Sequence, residues 1–289
     1  MRATLEAGRR WAAWAGVALG LAGGGATRAQ DEVPFITTPD QVTLAMLQIA
    51  EVGPRDHLID LGSGDGRIVI TAAKRAGASG LGVEIVPDLV RRSREHARAA
   101  GVHERVEFRE QDLFATDLGR ATVVTMYLLP DVNLQLRPRL LMLAPGTRIV
   151  SHDWDMGDWI PDRTLTVDVP DKSIGREKFS KVHLWTVPAR VHGLWCSAGA
   201  SLDVTQRFQR FSATLASSGS GSGTSSGAGS AAPVQVVDGR IEGRTLRSGA
   251  ADSVVLEAEP AGLRLREMGG SAGRFSGRLF TPAAGPRCS

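Results

Sequence analysis

From His57 the chain runs through a short, mostly apolar stretch, His57-Leu58-Ile59-Asp60-Leu61. It then enters a loop with glycine at every second position, Gly62-Ser63-Gly64-Asp65-Gly66, and a helical pattern follows from Arg67 to Ala76. A strand that hands over to a helix through such a loop narrows the possible folds sharply. Glycine accepts backbone conformations that other residues resist, and the first N–H groups of a helix have no partner inside it. The loop can therefore turn tightly and bring backbone donors close to a ligand.

The alternation continues on both sides of the loop. Pro39-Asp40 opens an amphipathic pattern carried by Val42, Leu44, Ala45, Leu47, Ile49 and Val52, which stops at Gly53-Pro54. Strand patterns cover Gly80 to Glu84, Arg105 to Arg109, Ala121 to Tyr127 and Thr147 to His152. Helical patterns cover Pro87 to Ala100, with Gly101 beyond its end, and Asp131 to Leu143, where Pro138 predicts a break. Leu165 to Val169 and Lys181 to Val187 complete seven strands. Apolar strands separated by helices predict an α/β fold: a Rossmann-like, doubly wound, mostly parallel sheet covered on both faces. No helical pattern separates the last two strands, which leaves room for one of them to run antiparallel.

The character changes after Pro188. Residues 190–289 read as a small β-rich appendage, either a substrate or partner module or a packing extension without a site. A Ser/Gly/Ala tract at 216–232 reads as a flexible linker or loop that splits it. Within it Val234-Gln235-Val236-Val237 is strand-like, Asp238-Gly239 is a hairpin signal, and Val254-Val255-Leu256 is strand-like again.

The N-terminus has the order of a secretory signal. Arg2, Arg9 and Arg10 precede an apolar, uncharged run from Trp11 to Ala26, and small residues at Thr27 and Ala29 suggest cleavage after Ala29. The run is shorter than the ~20 residues a membrane span needs. The expectation is a signal at 1–29 and an exported or periplasmic protein, with a membrane-anchored or cytoplasmic protein as the alternative. Cys196 and Cys288 form no metal-ligand pattern, so no metal site is expected. They could pair in an oxidising compartment or stay as free thiols. With a formal net charge of +3 over 289 residues and no dense basic run interleaved with aromatics, no nucleic-acid partner is expected.

Three acids qualify the glycine loop. Asp60 stands two positions before the first glycine, where a carboxylate would repel a pyrophosphate but attract an ammonium or sulfonium group. Glu84 ends the second strand, at the distance expected for a carboxylate that accepts from ribose hydroxyls. Asp112, after the third strand, could accept from an adenine amino group while Leu113 or Phe114 packs on the ring. All three lie at the C-terminal ends of adjacent strands, where open α/β sheets bind ligands.

This combination resembles the class I, seven-strand methyltransferases, over Pro34 to about Val187, which sets the expected domain at 34–188. The resemblance implies S-adenosylmethionine as the cofactor. It places Asp60, Gly62 and Gly64 at the methionine moiety, with Ser63 and Gly66 in the same loop, Glu84 on the ribose and Asp112 with Leu113 at the adenine. Phe35-Ile36-Thr37-Thr38-Pro39, the loop itself and Tyr127-Leu128-Leu129-Pro130 further resemble one subgroup. That subgroup holds bacterial proteins and the lysine methyltransferases of the adenine nucleotide translocase and of the ATP synthase c-ring protein. Thr38 could then help to lid the cofactor, or it could simply cap the first helix.

The subgroup implies a protein lysine as methyl acceptor and leaves room for a membrane-protein substrate. A small-molecule acceptor, or an exported module that kept the fold without the catalysis, are the alternatives. Met126, Tyr127 and Leu128 end the fourth strand, where this family places acceptor-site residues, and the Asn/Asp-Pro-Pro-Tyr motif of amide and adenine methyltransferases is absent there. Tyr127 could orient an amine or be a packed aromatic. His152 is the candidate proton acceptor by its ordinary pKa, or a satisfied structural histidine. Asp153 and Asp155 could hold a cationic substrate, and Trp154 with Trp159 could form a cation-binding wall.

Overall fold

The structure is a computed structural model that describes residues 36–172, 175–217, 232–248 and 254–288. The signal-like segment 1–29 lies outside the described residues, as does most of the Ser/Gly/Ala tract.

Seven strands form the first sheet: β1 (His57–Leu61), β2 (Ser79–Glu84), β3 (Val106–Glu110), β4 (Val123–Met126), β5 (Arg148–His152), β6 (Arg163–Asp168) and β7 (Phe179–Thr186). Their spatial order is β3-β2-β1-β4-β5-β7-β6. β1 to β5 pair in parallel, and β7 runs antiparallel to both β5 and β6. Helices α1 (Asp40–Ile49), α2 (Arg67–Ala76), α3 (Pro87–Ala99) and α4 (Pro130–Leu140) complete the layers. One apolar cluster packs α1, α2 and α3 on one face through Met46, Ile49, Val69 and Val90. The other joins α4 to the opposite face through Leu136, Leu140, Trp159 and Trp185. Burial on both faces explains why β1 and β4 read as continuous apolar runs.

The helix ends follow local chemistry. α2 stops at Gly77, at φ 70°, a left-handed position suited to glycine, and α3 and α4 start on Pro87 and Pro130. The predicted break at Pro138 does not occur. The residue sits in the last turn of α4, and Leu141 N–H donates to the carbonyl of Arg137 at 3.0 Å, so the helix ends rather than kinks.

The β-rich region is a closed antiparallel barrel of eight strands: β8 (Gly193–Ser197), β9 (Ala200–Arg207), β10 (Arg210–Ser217), β11 (Ala232–Glu242), β12 (Thr245–Ser248), β13 (Val254–Glu259), β14 (Gly262–Met268) and β15 (Leu279–Pro282). Pairing of β15 with β8 closes it, and Leu202, Val204, Phe211, Leu246, Leu263 and Phe280 fill the interior. Cys196 and Cys288 are joined in a disulfide across a sequence separation of 92, with Cα atoms 5.4 Å apart.

The strands that flank the Ser/Gly/Ala tract are neighbours in the sheet: Ser217 pairs with Ala232 and Ala216 with Pro233. One expectation for this region is corrected. Asp238-Gly239 is not a hairpin turn but lies inside β11, whose turn to β12 falls at Gly243, φ 56°. A Cβ on Gly239 would stand 2.7 Å from the ring of Phe211 and 2.1 Å from the carbonyl oxygen of Arg247. This glycine gives room to a barrel-filling ring and a close neighbouring strand.

The barrel meets the sheet at the N-terminal ends of the parallel strands. Ala189 N–H donates to Gly243 O at 2.7 Å, Gln209 Nε2 to Ile160 O at 2.6 Å, and Arg240 pairs with Asp162. The glycine loop is at the other end.

Candidate active site

The sheet order reverses between β1 and β4, and their C-terminal ends open a crevice there. Gly62, Gly64 and Gly66 all have left-handed φ values, 74°, 53° and 81°. Neighbours forbid side chains as well: a Cβ on Gly62 would lie 2.9 Å from Leu128 Cδ2, and one on Gly66 would lie 2.7 Å from the ring of Phe108. The N–H groups of Gly62 and Ser63 both donate to Val83 O, at 3.0 and 2.9 Å, which pins the loop to β2. Gly66 precedes α2 without a side-chain cap. Arg67 pairs with Asp65 and donates to the backbone oxygen of Thr38 at 2.9 Å, drawing the segment before α1 to the loop.

Asp60 is buried at the end of β1, 2% exposed, and Thr125 of β4 donates its hydroxyl to it at 2.7 Å. Burial raises the Asp60 pKa to about 7 against the opposing Thr125 bond, and the nearby charges of Glu84 and Asp65 push it the same way as burial. Such a carboxylate is fully ionised at neutral pH only when a cation arrives to offset its desolvation. The Ser63 hydroxyl is buried without a partner, over Gly82, where a Cβ would lie 2.6 Å from it.

Glu84 binds three backbone N–H groups, that of Gly64 at 2.9 Å and those of Ile85 and Val86 at 2.8 and 3.0 Å. It thereby joins the glycine loop to the β2–α3 turn. Ile85, 64% exposed, extends an apolar surface beside it. Gln111 N–H donates to Glu84 O at 2.9 Å, bringing the end of β3 alongside. Asp112 accepts from Phe114 N–H at 2.8 Å and caps the short turn that carries Leu113.

At the end of β4 the half-buried ring of Tyr127 stacks on His152, with centroids 3.9 Å apart. The Tyr127 hydroxyl has no hydrogen-bond partner among the described residues. Burial raises its pKa further, helped by the charge of Asp153. His152 is buried with both ring nitrogens engaged: Nδ1 with Thr38 Oγ1 at 3.2 Å and Nε2 with Ser180 Oγ at 2.9 Å. Burial lowers its pKa, so the ring is neutral at neutral pH. Thr38 does not cap α1, whose preceding residue is Pro39 with no side-chain cap; its hydroxyl is spent on His152.

The proposed acidic and aromatic rim does not assemble. Asp153, at φ 62°, is neutralised by Lys172 at 2.8 Å and accepts from Lys181 N–H at 2.9 Å, and Asp155 accepts from Gly157 N–H at 3.0 Å. Trp154 is 43% exposed, whereas Trp159 is wholly buried against Trp185 and Phe208. Thr125, Ser180, Arg67 and Ile85 belong to the site without having been singled out in the sequence. Of these only Thr125 carried a signal, as a polar residue inside the apolar run of β4.

A seven-strand sheet in this order, with a buried acid before a glycine loop at the switch point, defines a class I, S-adenosylmethionine-dependent methyltransferase. Residues 60–163 match the family model described as the ANTKMT methyltransferase domain. A protein-lysine N-methyltransferase from Saccharolobus islandicus is 42% identical over 138 residues, covering 47% of this chain and 86% of that protein. The human lysine N-methyltransferase of the ATP synthase c-ring protein is 37% identical over 154 residues, covering 50% of this chain and 64% of that enzyme. The mouse counterpart is matched over 44% of its length. A crystal structure described as an RNA methyltransferase from Salinibacter ruber, in complex with S-adenosyl-L-homocysteine, is 52% identical over 54% of this chain and 96% of that chain, with a TM-score of 0.49. The chain belongs to the same methyltransferase family as these lysine enzymes. The barrel lies beyond the family match.

The residues fit the cofactor. Asp60 offers a buried carboxylate to its cationic end, Ser63 an orphaned hydroxyl, and the loop a cradle that Cβ atoms would fill. Glu84, Asp112 and Leu113 stand along the crevice where the ribose and adenine would lie.

Proposed function

We propose that this protein methylates the side-chain amine of a protein lysine. The relationship to the Saccharolobus islandicus enzyme, 42% identical over 86% of its length, carries this reading. Locally it is supported by an apolar mouth, Tyr127-Leu128-Leu129-Pro130, in place of a polar amide-binding motif. S-adenosylmethionine, held by Asp60, the glycine loop and Glu84, would supply a methyl group on a sulfonium, a thioether leaving group that needs no proton. The chain has to orient the amine in line and keep water out. The amine must be neutral to attack, and a mouth of Leu128, exposed Leu129 and the Tyr127 ring disfavours its ammonium form. The amine's proton leaves to solvent. His152, with both nitrogens occupied, holds Thr38, Ser180 and the Tyr127 ring in place.

The disulfide supports export to an oxidising compartment, which we propose alongside the lysine reading. The test incubates the whole protein and labelled S-adenosylmethionine with lysine-bearing peptides, the same peptides with lysines chemically dimethylated, small amines, and RNA. Label confined to free-lysine peptides is the expected result. Label on RNA or on small amines alone would overturn the lysine reading.

A further inference from the structure

The outer face of the barrel carries a feature that methyl transfer does not use. Arg210 of β10 pairs in register with Arg207 of β9 on one side and Arg240 of β11 on the other, and Arg240 pairs with Arg247 of β12. Residues opposite each other in antiparallel strands point to the same face. Four arginines on four adjacent strands thus form one exposed row, and at about 4.8 Å per strand it spans roughly 14 Å. The inward neighbours Phe211, Ile241 and Leu246 are buried.

Like charges directly opposite one another destabilise a sheet, and elsewhere the barrel avoids this. On β13 and β14 the arginines alternate with acids: Arg264 pairs with Glu259, and Arg266 with Glu257 and Glu259. In the row, Arg207 meets Asp158, which also serves Arg137, and Arg240 meets Asp162. Arg210 and Arg247 have no ion pair among the described residues. The row lines an open cleft of about 1100 Å³, in which Thr205 and Ser212 add hydroxyls and Asp238 is the acid of the lining. Counting Arg137 and the three aspartates, the neighbourhood keeps a surplus of two positive charges, one where Arg137 and Arg207 share Asp158 and one at Arg210 and Arg247 beside Asp238.

We infer that this cleft binds a linear oligophosphate, held by the cross-strand arginine row. Guanidinium forks match phosphate oxygens in pairs. A single phosphate would occupy a small part of the cleft, whereas a chain of phosphates can lie along the row and offset the repulsion within it. The site belongs to the barrel, which joins the sheet at the end away from the glycine loop, so it is independent of the methyl-transfer reading.

The test is calorimetric titration of the whole protein with inorganic tripolyphosphate, repeated on the double variant Arg210→Gln/Arg247→Gln and on Arg266→Gln as a control outside the row. All three positions are exposed, and thermal melts check that each variant folds. The expected result is saturable binding that weakens with added salt, falls about tenfold or more in the double variant and stays unchanged in the control. Citrate at the same concentration should compete poorly. Absence of saturable binding, equal binding by the double variant, or equal competition by citrate would each overturn the inference. Tight binding of RNA or of vesicles containing anionic lipid that tripolyphosphate fails to displace would overturn it as well.

Discussion

The sheet and the barrel bury their strands by opposite means. In the sheet, five parallel strands are covered on both faces by helices, and their ends open into a crevice where the order reverses between β1 and β4. In the barrel, antiparallel strands bury one face around an apolar core and close on themselves. The parallel sheet holds a half-compensated acid, Asp60, at its strand ends, while the arginine row and the ion pairs of β13 and β14 stand on the outer surface of the barrel. The family match, residues 60–163, spans β1 to β5 and stops at the start of β6, well before the barrel. The chemistry common to the family lies in the sheet.

The largest expected effect probes the crevice. Asp60→Asn should weaken S-adenosylmethionine binding about 100-fold, as expected for loss of a buried charge partner, while leaving the barrel folded. Calorimetry and a melt of the same sample would show it. Binding retained by this variant would remove the distinction drawn between the two regions.

Next is the disulfide. It closes a sequence separation of 92 and ties β8 to the segment after β15. Cys196→Ser should lower the barrel's stability by about 2–4 kcal/mol, read by chemical denaturation, with cofactor affinity unchanged. A parallel loss of cofactor binding would show that the sheet depends on the barrel.

A smaller effect concerns pH. Asp60 titrates at about 7 in the folded chain against an ordinary 3.8, so the folded protein holds a proton there that the unfolded chain lacks. The group's contribution to stability therefore declines as pH rises from about 4 and is lost above about 7. A cationic ligand favours the ionised form, so affinity should rise about tenfold between pH 6 and pH 8 and then level, with proton release on binding at pH 6. Calorimetry in buffers of different ionisation enthalpy would count the proton, and Asp60→Asn should abolish the dependence.

The smallest effect tests the join. Asp162 accepts from Thr186 N–H at 2.6 Å and from Gln209 Nε2 at 3.3 Å, and pairs with Arg240. Asp162→Ala should cost about 1–2 kcal/mol and separate the thermal transitions of sheet and barrel. A single unchanged transition would mean that the two regions are coupled by other contacts.

The strand and helix pattern of residues 36–188 was legible because buried parallel strands are nearly continuous apolar runs and glycine and proline mark the helix ends. The places of Asp60, the three glycines and Glu84 could be read for a related reason: they lie at strand ends, and that position follows from local pattern. The barrel was legible only as β-rich. Its closure, like the pairing of Cys196 with Cys288, depends on register between segments far apart in sequence.

The same limit explains what the sequence left open at the site rim and what it misplaced in the barrel. Whether His152 is free or doubly bonded depends on Thr38 and Ser180, and whether Asp153 is available depends on Lys172. Gly239 suggested a turn because its neighbours in sequence are turn-like, yet it faces the ring of Phe211 from another strand. Sequence alone determined which backbone conformations each segment could adopt and which strand ends could carry a ligand. Only the tertiary structure decided which polar groups were already satisfied and which charges stood together, because hydrogen bonds and ion pairs are made between segments that the linear order keeps apart.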